Sequence, residues 1–200
     1  MMKRICNYFT MMVVALSALF FTACDSDDDG YKGPVITLDD VKGSYNGVMR
    51  SGKTGDVLED TVLVQASGEQ LAVTGLPVRA IVRTLVGAEQ VDAVVEAVGE
   101  VNYSMNYEAV LTTDQGNAVL TLKPGEFTFD MPVDEAVKQV KVQFVADSKG
   151  VFTGINSALS FNLKVEKIWV DEEEVATTEA VEYAFLPTKK TVAEPASHIN

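Results

Sequence analysis

From Val101 to Thr112 apolar and polar residues alternate almost without a break. Val101, Tyr103, Met105, Tyr107, Ala109 and Leu111 share one face; Asn102, Ser104, Asn106, Glu108 and Thr112 share the other, broken only by Val110. A period of two sends successive side chains to opposite sides of an extended chain, so this segment buries its apolar row as a strand. Two further segments follow the same rule. Leu159, Phe161, Leu163, Val165 and Trp169 fall on one side of residues 159–170, with Lys167 interrupting. Val140, Val142, Phe144 and Ala146 oppose Gln139, Lys141 and Gln143. One wet face per strand fits antiparallel sheet, because parallel strands are buried on both faces.

Shorter segments complete the pattern at 44–49, 58–65, 70–74, 117–123, 127–130, 151–153 and 181–186. Turn signals separate them, among them Ser51 to Asp56, Ser67-Gly68, Asp114-Gln115-Gly116, Pro124-Gly125 and Asp147 to Gly150. The expectation is a mainly β domain, an antiparallel barrel or sandwich of about 8–10 strands. One stretch departs from it. Pro77 suits a first helical turn, Val78, Ile81, Val82 and Leu85 recur at helical spacing, and Val91, Val94, Val95 and Val98 do so again after Gly87. A helical insertion over about 78–98, split at Gly87, is predicted there, plugging one end of the barrel.

The amino terminus reads as an address. Lys3 and Arg4 precede an apolar stretch from Phe9 to Phe21, and Phe21-Thr22-Ala23-Cys24 then gives way to acid. A basic start, a short apolar run and small residues describe a secretory signal, and the run is too short to span a bilayer. Ala23-Cys24 resembles a bacterial lipobox, with Phe21 where Leu is usual. That resemblance implies cleavage before Cys24, removal of residues 1–23, and acylation of Cys24. Several acyl chains on one residue give stable membrane anchoring. Cys6 leaves with the signal, so the mature domain would hold no thiol for a disulfide.

Residues 24–34 follow as an acidic tether, since the like charges of Asp25, Asp27, Asp28 and Asp29 repel and extend. The run opens like a calcium loop, but the position needing a bidentate Glu is Ile36. An acidic run directly after the lipidated Cys is similar to the surface-export signal of Bacteroidetes-type lipoproteins. It implies an outer-membrane protein facing outward; in enterobacteria-like cells Asp after the Cys implies the inner membrane. A single β-rich domain over 35–190 and a tail over 191–200 complete the layout.

Lipobox, tether and Leu38-Asp39-Asp40-Val41-Lys42-Gly43-Ser44-Tyr45-Asn46-Gly47 together resemble the small lipoproteins of unknown function of gut Bacteroidales. The Gly-x-Tyr-x-Gly start also resembles the first strand of calycin-like barrels, where a Gly-x-Trp closes one end of a ligand cavity. The residues themselves also read more simply, with Gly43 and Gly47 permitting a bend and Tyr45 in the core.

Charge and composition exclude several functions. With 29 acidic and 16 basic residues, the net charge of −13 is wrong for phosphate contacts, so no nucleic acid is expected. One His leaves no zinc cluster and no Ser-His-Asp set, and no phosphate loop or nucleophile elbow is present. The sequence implies no cofactor, no bound metal and no catalytic residue. Asp171 to Glu174 read as a solvated loop rather than a carboxylate pair in a cleft, and Asp134 and Glu135 as a loop or helix start.

The remaining site candidates are Tyr103, Met105, Tyr107, Phe161 and Trp169. In a hollow barrel they would line a cavity for a small apolar ligand; in a filled one they are core, and the partner is a protein met at the surface. The reading is therefore an envelope lipoprotein with a non-catalytic binding domain. Its rivals are an assembly subunit of a surface complex and a carboxylate-dependent hydrolase.

Overall fold

The computed structural model describes residues 33–134, 136–176 and 180–191. Cys24 and the signal therefore lie outside the described residues, as does the tether up to residue 32. Eleven strands form one antiparallel sheet: β1 (Gly43–Lys53), β2 (Asp56–Ser67), β3 (Gln70–Thr74), β4 (Tyr103–Leu111), β5 (Asn117–Lys123), β6 (Glu126–Val133), β7 (Ala136–Val145), β8 (Gly150–Thr153), β9 (Ala158–Val170), β10 (Glu173–Val175) and β11 (Glu182–Lys189). Eight of them close on themselves in the order β11-β1-β2-β3-β4-β5-β8-β9, because β11 pairs with both β1 and β9. Closure removes the unpaired edges that an open sheet would present.

The remaining strands extend this barrel. β5 and β6 run on either side of Pro124-Gly125, and β7 and β8 on either side of Ala146 to Lys149. β6 pairs with β7, and β7 with the far half of β9, so a ribbon of β6, β7, β9 and β10 projects beyond the closed ring. Among the described residues β6 pairs only with β7, which is where a strand tolerates Pro132 with its missing N–H.

The predicted helical insertion is present as two helices, α1 (Arg79–Val86) and α2 (Val91–Val98), separated at Gly87 as expected. Gly87 has φ 81°, a conformation open to glycine at no steric cost. The helices lie at the end where β1 finishes and β4 begins. α1 packs on β1 and α2 on β6. Ile81 and Val82 are fully buried there.

Period-two alternation is read correctly for most strands. Val140, Val142 and Phe144 of β7 are buried, as are Tyr103, Met105 and Tyr107 of β4. Two expectations need correction. Trp169 does not share a face with Phe161. Gln143 pairs with Lys167 while Phe144 pairs with Val165, so Glu166 is an extra residue in β9. This β-bulge shifts the phase by one, placing Ile168 in the core and Trp169 on the outer face. Lys167, which interrupts the alternation, marks that shift.

The acidic run is not a loop throughout. Asp171 and Glu172, at φ 51° and 72°, make a two-residue hairpin turn, and Glu173 and Glu174 begin β10. The Asp171 carboxylate accepts from the Gln139 amide at 2.9 Å, so this acid ties the turn to β7. Asp134, at φ 56°, lies in the hairpin turn joining β6 to β7, the loop of the two alternatives, and Glu135 lies outside the described residues.

Candidate functional site

The barrel interior holds four of the five residues singled out above. Tyr103, Met105 and Tyr107 line its wall on β4 and Phe161 on β9, each buried. They do not form one group. Tyr103 packs edge-on to Phe144 and tilted to Phe127, with ring centroids 5.1 and 5.3 Å apart, at the end carrying the helices. Phe161 packs on Phe185 at 5.3 Å. Tyr107 lies towards the opposite end, near Tyr45.

Large side chains fill the space between these residues. Tyr45, Met49, Leu71, Leu120, Phe152 and Leu159 all point inward and are fully buried. An eight-stranded barrel is just wide enough for such side chains to meet across it. The phenols are correspondingly shielded. Burial pushes Tyr103 up to about 12 and raises Tyr45, Tyr107 and Tyr183 as well. The Tyr45 hydroxyl donates to the Val41 carbonyl at 2.5 Å and so joins β1 to the 3₁₀ turn Leu38–Val41. Gly47 is required by contact: a Cβ there would lie 2.0 Å from Thr188 Oγ1 of β11.

Trp169 stands apart, half-buried on the outer face of the ribbon. Its cross-strand neighbour Lys141 places Nζ 4.3 Å from the ring centroid, and Lys167 places its own at 5.9 Å. Thr128 of β6 is the next partner in that row. Both lysines are also ion-paired, Lys141 to Glu126 at 3.8 Å and Lys167 to Glu174 at 3.5 Å. The result is an aromatic surface ringed by donors and acceptors.

A second feature was not read from the sequence. A cleft of about 160 Å³ lies between the β1–β2 hairpin and α1, lined by Lys53, Asp56, Leu58, Ala80, Arg83 and Thr84. An Arg83–Asp56 ion pair crosses it. No local motif marks it, because its walls come from elements brought together only by the barrel.

Among the described residues, the carboxylates with displaced acidity are all held down. Asp40 is lowered by hydrogen bonds from the Thr37 backbone and hydroxyl, Glu108 by the Lys123 ammonium, and Asp114 by the Thr112 hydroxyl and the Gly116 amide. Among the described residues, no three His, Cys, Asp or Glu side chains come together to hold a metal. Among them, too, no helix is long and apolar enough to cross a membrane, which does not bear on strands.

Residues 40–170 match the family described as a domain of unknown function, DUF4840. The chain belongs to that family. Neither the curated proteins nor the solved structures gave a match. The DUF4840 match runs from the 3₁₀ turn to the last residue of β9. It stops short of β11, the strand that closes this barrel between β1 and β9.

Proposed function

We propose that this DUF4840 protein is a lipid-anchored envelope protein. Acyl chains on Cys24 hold it at the outer membrane, its acidic run directs it to the cell surface, and its barrel is a non-catalytic binding module. The partner is met by the outer surface of the barrel. The observation carrying this reading is the filled interior, where Tyr103, Met105, Tyr107 and Phe161 serve as core. The ribbon face around Trp169 is the best-equipped outer surface, since a half-buried aromatic beside polar and charged groups suits recognition.

Asp40, Glu108 and Asp114 are poor candidates for a general acid. A general acid working near neutral pH needs its pKa raised, and Asp40, Glu108 and Asp114 are lowered. A role as assembly subunit by strand addition would use the free edge of β6. Pro132 there lacks a donor and Glu126 and Asp130 add charge, which are devices that blunt an edge.

The test is to express the full chain and its Cys24→Ser variant with labelled fatty acid and to separate detergent phases. The wild type carries label and enters the detergent phase; the variant carries none and stays aqueous or unprocessed. Equal partitioning of the two would overturn the anchor. Replacing Asp27, Asp28 and Asp29 by Ala should lower protease accessibility on intact cells, and unchanged accessibility would reduce the run to a spacer.

A further inference from the structure

The end of the barrel opposite the helices carries a group of large apolar side chains turned to solvent. Val35 is 70% exposed, Leu38 45%, Val110 66% and Ile155 60%. Backbone hydrogen bonds bring their segments together. The Ile36 amide donates to the Gln115 carbonyl at 2.9 Å, fastening the incoming chain to the β4–β5 turn. The Gly154 amide donates to the Gly116 carbonyl at 3.0 Å, fastening the turn Gly154–Asn156 to the same loop. A Cβ at Gly154 would meet Ile36 Cγ2 at 2.5 Å, so the two segments are in direct contact. Leu38 belongs to the 3₁₀ turn that packs on β4, and Val110 is near the last residue of that strand.

Three acids at this end are engaged with local donors. Asp39 takes the Lys42 ammonium at 2.6 Å, Asp40 the Thr37 amide at 2.7 Å, and Asp114 the Gly116 amide at 3.0 Å. Lys190 Nζ lies 3.1 Å from the Asp40 carbonyl and adds a cation to the rim. The apolar tips of Val35, Leu38, Val110 and Ile155 stand out to solvent among these charged groups.

The chain itself says what they face. It enters the described structure at Gly33, at this same end, and only residues 25–32 separate Gly33 from Cys24. A segment of that length reaches at most about 30 Å. We infer that this end of the barrel rests on the lipid surface, with Val35, Leu38, Val110 and Ile155 entering the headgroup region. The inference rests on the acylation of Cys24 proposed above. Once the chain is anchored, contact with the bilayer is effectively intramolecular, so four side chains that could not bind a membrane alone suffice to orient the barrel. The ribbon and Trp169 then point away from the membrane.

The test uses the acylated full chain in phosphatidylcholine vesicles carrying brominated acyl chains, which quench tryptophan on contact. Trp169→Phe supplies the background, and Ile155→Trp and Val137→Trp are compared in it. Val137 is 66% exposed and lies near the tip of the ribbon, so it is the matched control. Equal thermal midpoints verify that both variants are folded. The inference predicts at least twofold stronger quenching at 155 than at 137. Floating vesicles with equal quenching, or none at 155, overturn it and leave the anchor standing. A chain that does not float because Cys24 carries no acyl group overturns the anchor and this inference together.

Discussion

The Tyr183 hydroxyl donates to the Pro77 carbonyl at 2.8 Å, joining the closing strand to the start of the helical insertion across 106 residues of sequence. Both groups are buried. Tyr183→Phe keeps the ring, which packs edge-on to Phe144, and leaves the carbonyl unpaired. An unsatisfied buried acceptor costs about 1–3 kcal/mol. Denaturant unfolding should show a loss in that range with an unchanged slope, and an unaltered midpoint would mean that the bond contributes nothing.

β11 completes the ring although the family match ends before it. A chain ending at Val170 loses Tyr183 and Phe185 from the core and uncovers the edges of β1 and β9. It should give no cooperative melting transition and should aggregate. A sharp transition from the truncated chain would show that the barrel is stable open.

Ser51 presents the opposite case. It is 1% exposed, and among the described residues its Oγ finds no hydrogen-bond partner. Removing an unsatisfied buried hydroxyl is neutral or favourable. Ser51→Ala should match or exceed the wild-type melting temperature, and a clear drop would reveal a hidden partner.

The bulge at Glu166 separates two aromatic residues that strict alternation would place together. Phe161→Ala opens the core and should cost about 3–5 kcal/mol. Trp169→Ala removes an outer-face ring and a cross-strand cation–π contact, and should cost about 1 kcal/mol. Equal losses in urea would return Trp169 to the interior.

The shielded tyrosines set the alkaline limit. In the unfolded chain a phenol ionises near its ordinary value of 10.0, whereas burial pushes Tyr103 up to about 12 and raises Tyr45, Tyr107 and Tyr183. A raised folded pKa on a group that is neutral when protonated contributes stability that is present below pH 10 and lost as pH rises towards 12. Phenolate absorbance from these four should appear together with loss of circular dichroism. Smooth titration near pH 10 with the fold intact would contradict the burial.

Most strands were legible because half-buried sheet writes its period directly into the chain, as in β4. Pro77 and Gly87 likewise marked the insertion and its division. The phase of β9 beyond Val165 was not read, although the polar pair Glu166-Lys167 between Val165 and Ile168 is the local signature of an inserted residue. The short β10 was hidden because its first two residues are acids in an edge strand, held by pairing rather than by burial. Whether inward residues line a cavity or fill it depends on side chains from all eight strands meeting across the barrel, and no single segment records that. The cleft between Lys53 and Arg83 is equally non-local.

The barrel is filled by its own side chains, and the proposed function has it bind from outside. The direct measurement is a titration of the folded protein with a long-chain fatty acid, followed by calorimetry and by the aromatic resonances of Tyr103, Tyr107 and Phe161. No saturable binding and no shift of those resonances is the predicted result. One-to-one binding that moves all three would contradict it, and would place the ligand inside the barrel.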